Sequence, residues 1–135
     1  MAIRIVLSVA VSLAAWSTAA PAGAAVQSKA QRPPEHVVID RVLDGDTVAV
    51  RGWDQHVRLA SIDAPELGHG YGKPGQPYSV MARNWLEKLL VGNSDVSIRC
   101  VDEDQYRRPV CDLYVQSSHV NRELVELGLA WANTA

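Results

Sequence analysis

The sequence predicts a mainly β protein with helices, an α+β chain of five short strands with one helix between the third and fourth and a short helix near the C-terminus. Three observations predict it. Short apolar runs alternate in character and are bounded by Gly, Pro and Asp. One stripe (Ala82, Trp85, Leu86, Leu89, Leu90) recurs instead at helical spacing, and two cysteines, Cys100 and Cys111, flank a charged turn. A period of two places side chains on alternate faces of a strand, whereas spacings of three and four line one face of a helix.

The first strand is expected over residues 36–43 (HVVIDRVL), β-branched and apolar. DGDT makes a turn, after which Thr47–Val50 forms the second strand with Val48 and Val50 on one face. Past a bend at residues 52–55, Val57 and Leu59 alternate again and put Arg58 on the opposite face. Pro65 ends this run. Residues 67–77 hold Gly68, Gly70, Gly72, Pro74, Gly75 and Pro77, a long loop of the kind that carries function beside a rigid scaffold. Pro77 suits the first turn of the helix bearing the apolar stripe, and Gly92 stops it. The cysteine-flanked hairpin supplies strands four and five. Asn121 is placed to cap a last helix carrying Leu124, Val125 and Leu127, closed by Gly128. Five strands with a helix between the third and fourth is the element order of an OB-fold barrel.

The N-terminus reads as a targeting segment. Arg4 precedes an apolar run over residues 5–16, and small residues follow through AAPAGAA. The run is short for a membrane span and leads to an AxA-like site, so residues 1–25 are expected to be a signal peptide cleaved near Ala25, with Ala20 as the other candidate. The product would be secreted or periplasmic, with no membrane association after cleavage. Residues 26–35 are a polar, proline-containing lead-in, leaving 36–135 as one domain, expected to be a monomer. Cleavage takes one of the 13 Lys and Arg residues, Arg4, so 12 remain against 15 Asp and Glu, a net charge of −3. That excludes a basic nucleic-acid coat; a polyanion must be gripped locally, with a cation's help.

If the runs around the cysteines pair antiparallel with Cys100 opposite Cys111, Ile98 faces Leu113, Val96 faces Val115, and Arg99 meets Asp112 on the other face. One register satisfies the apolar face, the charge pair and the sulfurs together. In an oxidising compartment the expectation is a disulfide; the alternative is two buried thiols.

Asp46, Asp63 and Glu66 with Arg58 form a kit for a metal ion and a phosphate. Taken singly, each has a plain structural reading. DG between alternating runs signals a hairpin, so Asp44 reads as a turn residue. His56, His69 and His119 lack metal-ligand spacing and read as surface residues. Trp53 and Tyr71 read as loop aromatics able to stack on a base.

DGDTV, VRLASIDAPE, DQYRRPV and VNRELVELGLAW together, in order and spacing over residues 37–131, closely resemble the staphylococcal nuclease family, OB-fold nucleases that depend on calcium. The resemblance implies a DNA or RNA substrate and a Ca2+ ion. By position, it implies that Asp46 and Asp63 bind calcium with the backbone carbonyl of Ala64. Glu66 would activate or orient the attacking water, and Arg58 and Arg108 would grip the phosphate. Tyr106 would contact the nucleotide, with Asp104 supporting it on the same loop. Arg107 stands where the family's loop usually has glycine, implying a differently shaped turn and an extra phosphate contact. The physics agrees: calcium takes several hard oxygen ligands in flexible geometry, and paired arginine donors suit phosphate oxygens. The rival reading is a catalytically impaired OB module that binds nucleic acid or a protein partner.

Overall fold

The computed structural model describes residues 33–134. The expected signal peptide and residues 26–32 of the lead-in lie outside the described residues. The strands are β1 (Glu35–His36), β2 (Ile39–Asp44), β3 (Thr47–Val50), β4 (Val57–Leu59), β5 (Ile62–Asp63), β6 (Val96–Glu103), β7 (Pro109–Val115), β8 (Ser118–His119) and β9 (Trp131–Ala132). The helices are α1 (Ser79–Leu90) and α2 (Val120–Glu126).

The main sheet runs β1-β6-β7-β4-β3-β2, with β8 on the flank of β7. Among the described strands β4 and β7 pair in parallel and the other pairs are antiparallel. The five longer strands and intervening helix thus give the OB-type architecture expected from the sequence. The single first strand expected over 36–43 comes out as two pieces because the chain changes partners there. β1 pairs with β6 and β2 with β3. The Val37 N–H donates to Val96 O (3.0 Å), whereas Val38 O accepts the Arg51 N–H (2.9 Å). One stretch of chain therefore touches both ends of the strand path and curls the sheet around its core.

The β6–β7 hairpin has the expected register. Cys100 opposes Cys111, Ile98 opposes Leu113, Val96 opposes Val115 and Arg99 opposes Asp112. Cys100 and Cys111 form a disulfide. Ile98, Cys111 and Leu113 are buried with Ile39, Val48, Val57 and Leu59, so alternation alone sorted these strands into a core face and an outer face. β3 departs from simple alternation, since all four of its residues are buried.

α1 packs Ala82, Leu86 and Leu90 into that core, with Trp85 and Leu89 half-buried beside it. Pro77 precedes the helix instead of entering its first turn. Gln76 O accepts the Ser79 N–H (3.2 Å), and Tyr78 is left-handed at φ 67, ψ −2. This is the geometry of a type II turn with proline at its first corner. Gly92, at φ 78, follows the last turn as expected.

Asn121 does not cap α2; the N-cap is His119, without a side-chain cap bond. Asn121 is 1% exposed. Its Oδ1 accepts the Leu113 N–H (3.0 Å), and its Nδ2 donates to Ala60 O (3.0 Å) and Cys111 O (3.1 Å). A short polar residue that can satisfy a helix end can equally satisfy buried backbone of a strand and a turn, and here the second demand wins because an unpaired buried group is costly. The tail forms β9 on β5, Trp131 opposite Asp63, a strand the sequence pattern did not announce.

Candidate active site

The turn between β2 and β3 builds the acidic side. Asp44 Oδ1 accepts the Asp46 N–H (3.1 Å), an Asx turn. A Cβ on Gly45 would lie 2.7 Å from the Ala64 Cβ and 2.9 Å from the Ala82 Cβ. Only glycine lets this turn press against α1 and the β5 exit, and the pressure buries Asp46 to 5% exposure. Its Oδ1 accepts the Thr47 hydroxyl (2.9 Å), and its Oδ2 accepts the Ala64 N–H (3.1 Å).

Arg58 sits mid-β4, its flanking Val57 and Leu59 turned into the core. Cross-strand pairing with Thr47 brings its guanidinium between two carboxylates. Nη1 lies 3.3 Å from Asp46 Oδ2, and Nη2 lies 2.8 Å from Asp63 Oδ1. Burial pushes the Asp46 carboxyl above its ordinary pKa, a hydrogen bond and repulsion from Asp44 add to this, and the Ala64 N–H and Arg58 only partly oppose it. Burial works against the Arg58 charge, but Asp46, Asp63 and Asp44 outweigh it and raise the guanidinium pKa. Asp44, read from sequence as a turn residue alone, thus also belongs to the acidic cluster. The two aspartates of DGD, on either side of Gly45, were the available signal.

Asp63 is exposed at the mouth of a cleft of about 530 Å³ that it lines with Trp131, Ala132, Asn133 and Thr134. Glu66, three residues on, is exposed, with its backbone N–H donating to Gln76 Oε1 (2.8 Å).

The second group of expected residues lies on the β6–β7 turn, and Asp104 organises it. Asp104 Oδ1 accepts the N–H groups of Tyr106 (2.8 Å) and Arg108 (3.0 Å), and Oδ2 takes Arg108 Nε at 2.7 Å. Desolvation opposes the shift, but the backbone and side chain of Arg108 and the Tyr106 N–H hold the Asp104 carboxyl below its ordinary range. The Arg108 guanidinium lies 5.5 Å from the Tyr106 ring centre, a cation–π contact. Arg107 adopts φ 63, the left-handed conformation that favours glycine, so the turn takes a glycine-type shape despite its arginine. Its side chain is 84% exposed and faces Glu103 at 3.7 Å.

Asp46 therefore contacts both Arg58 and Ala64, and Arg58 contacts Asp63, while Asp104, Tyr106 and Arg108 form a second cluster on the β6–β7 hairpin. The parallel pairing of Arg58 with Val110 is the link, because Arg108 stands two residues before Val110. Of the remaining polar candidates, His119 is not a free surface group; its Nε2 lies 3.1 Å from Asp112 Oδ1. Trp53 packs against the core, while Tyr71 is fully exposed.

Among the described residues no three or more His, Cys, Asp or Glu side chains are grouped to hold a metal ion. What is present is a smaller donor set: two carboxylates, one of them buried and under-compensated in charge, beside the Ala64 peptide. That set suits a hard cation taking its remaining ligands from water and substrate oxygens.

A profile of the family described as staphylococcal nuclease homologue matches residues 56–135. The chain belongs to this family. The matched stretch contains Arg58, Asp63, Glu66 and Arg108; Asp46 lies before it. Among curated relatives, a "Probable endonuclease LCL3" of Leptosphaeria maculans is 39% identical over 79 residues, covering 56% of this chain and 26% of that protein. The protein of the same name from Phaeosphaeria nodorum is 37% identical over 93 residues, 66% of this chain and 31% of the relative. That from Paracoccidioides lutzii is 49% identical over 61 residues, 45% and 17% respectively. The chain thus spans about a third or less of the length of these relatives.

Proposed function

We propose that the chain is an exported, calcium-dependent nuclease that hydrolyses phosphodiester bonds of DNA or RNA. The observation that carries this reading is Arg58 suspended between Asp46 and Asp63 in a family-matched domain. A cation-hungry carboxylate pair thereby shares its guanidinium with the place where a phosphate would sit. Asp46 and Asp63 would hold calcium with the Ala64 carbonyl, and the ion would polarise a phosphoryl oxygen and orient the substrate. Glu66, exposed beside this set, takes the proton of the attacking water. Arg58 and Arg108 stabilise the added negative charge of the pentacoordinate phosphorus, Arg108 by exchanging Asp104 for phosphate oxygen. Tyr106 rests beside Arg108 and contacts the nucleotide.

Export would follow from the N-terminal segment, and an oxidising compartment agrees with the Cys100–Cys111 disulfide. Among the described residues no helix is long and apolar enough to cross a membrane.

The test is degradation of single-stranded DNA and RNA by the purified chain with calcium and with chelator, beside Glu66→Gln. Turnover only with calcium, and its loss in a Glu66→Gln protein that melts like the parent, is the expected result. Calcium-independent binding without turnover from a cooperatively folding sample overturns the nuclease reading and leaves the binding-module alternative.

A further inference from the structure

The loop after Glu66 leaves the site and returns to the same residue. The Glu66 N–H donates to Gln76 Oε1 (2.8 Å), and the Gln76 N–H donates to Glu66 O (2.9 Å). Both backbone polar groups of Glu66 are therefore held by one residue ten positions away. A second rung follows. A Cβ on Gly68 would lie 2.6 Å from Lys73 O and 2.7 Å from Gly75 N, and one on Gly75 would lie 2.8 Å from Gly68 N. The neck of the loop is closed backbone on backbone, and residues 69–74 form a tip beyond it.

Gln76 is itself anchored on the helix. Its C=O accepts the Ser79 N–H (3.2 Å), and Tyr78 O accepts the Ala82 N–H (2.9 Å). Ala82 is one of the two residues that Gly45 presses against, between Asp44 and Asp46. On the other side, Glu66 is tied to Asp46 through Ala64, whose N–H binds that carboxylate. Glu66 is thus located relative to Asp46 from both directions. Through Ala64 the path is two peptide links and one hydrogen bond; through Gln76 it passes over backbone hydrogen bonds and the first turn of α1. The left-handed φ of 67 at Tyr78, a conformation that costs a non-glycine residue energy, marks the corner where this anchoring is enforced.

We propose that Gln76 is a positioning residue for Glu66. Its side-chain amide holds the Glu66 backbone so that the carboxylate stays aimed at the attacking water. The proposal rests on the reading of Glu66 as the group that handles that water. Because the Gln76 bond is exposed, water replaces it when it is lost. The expected penalty falls on preorganisation and not on folding, and misplacement of a reacting group by about 1 Å can cost on the order of 100-fold in rate.

The test compares Gln76→Ala, Gln76→Glu and Glu66→Gln with the parent in calcium-dependent cleavage of single-stranded DNA, together with thermal melts. The expected result is a fall in kcat of about 10- to 100-fold for Gln76→Ala with KM and Tm unchanged. Gln76→Glu, which keeps an acceptor at the same place, should recover most of the rate. Three outcomes overturn the proposal: a kcat for Gln76→Ala within about threefold of the parent, a loss appearing in KM or Tm instead, or no rescue by Gln76→Glu. An inactive parent, or a fully active Glu66→Gln, removes the underlying assignment of Glu66 and with it the proposal. An active parent disabled by Glu66→Gln but indifferent to Gln76→Ala removes only the role of Gln76.

Discussion

Two aspartates at the two halves of the site are treated in opposite ways by the fold. Asp46 is buried against α1 and the β5 exit, stands beside Asp44, and has its pKa raised. Asp104 lies on a hairpin tip, receives three hydrogen bonds from its own turn, and has its pKa lowered. The acidic half is short of positive charge and borrows Arg58. The hairpin half carries its own cation in Arg108 and is satisfied without help. On the proposed reading, the acidic half would take a cation, and the hairpin half would open its own Asp104–Arg108 pair to meet a phosphate. That pair is part-buried, Arg108 at 29% and Asp104 at 17% exposure, so water screens its separation only in part.

The largest way to break this contrast is Arg58→Ala. Removing the shared guanidinium would take away one proposed phosphate clamp and leave only the Ala64 N–H to offset the repulsion of Asp46 by Asp44. Cleavage should fall by about 100- to 1,000-fold, equivalent to about 2.7–4 kcal/mol of transition-state stabilisation, in a kinetic assay at saturating calcium. Opening the hairpin comes next. Replacing both Cys100 and Cys111 by serine should cost about 2–4 kcal/mol in denaturant unfolding and lower the rate, because the disulfide closes the strands that carry Arg108.

Asp104→Asn sharpens the contrast by pH. The folded-state pKa of Asp104 lies below its ordinary value of 3.8, so its contribution is present above that value and is lost as pH falls through the lower folded value. The melting difference between parent and Asp104→Asn should therefore be full at neutral pH and vanish at strongly acidic pH. Equal differences at both ends would remove the ion pair as its cause. The smallest effect belongs to Arg107→Gly. Relief of the left-handed φ of 63 should raise stability by up to about 1 kcal/mol, with cleavage within about threefold of the parent if Arg107 makes no phosphate contact. A larger loss would establish that contact.

Much of the fold was legible because it is written in short-range spacing. The hairpin register followed from matching a period of two across a turn, and Arg58 was set on its face by Val57 and Leu59. The α1 stripe followed from spacings of three and four. The acidic residues of the site were legible by type and order, although nothing local said that Asp44 would share the electrostatics of Asp46. Asn121 shows the limit most clearly: its position suggested a cap, and its partners proved to be the backbone of β7 and of the turn after β4, the latter 61 residues away.

What the sequence by itself determined is the set of elements, the pairing inside the cysteine hairpin and the chemical kit of the site. Each of these depends on residues close in the chain, whose relative geometry is fixed by helix and strand periodicity. Only the tertiary structure decided that Val37 and Val38 divide one strand between two partners, that the tail pairs with Asp63, that Arg58 lies between Asp46 and Asp63, and that Gln76 closes on Glu66. Those contacts are settled by which backbone and charged groups remain unsatisfied once the core has packed, and that quantity does not exist until distant segments meet.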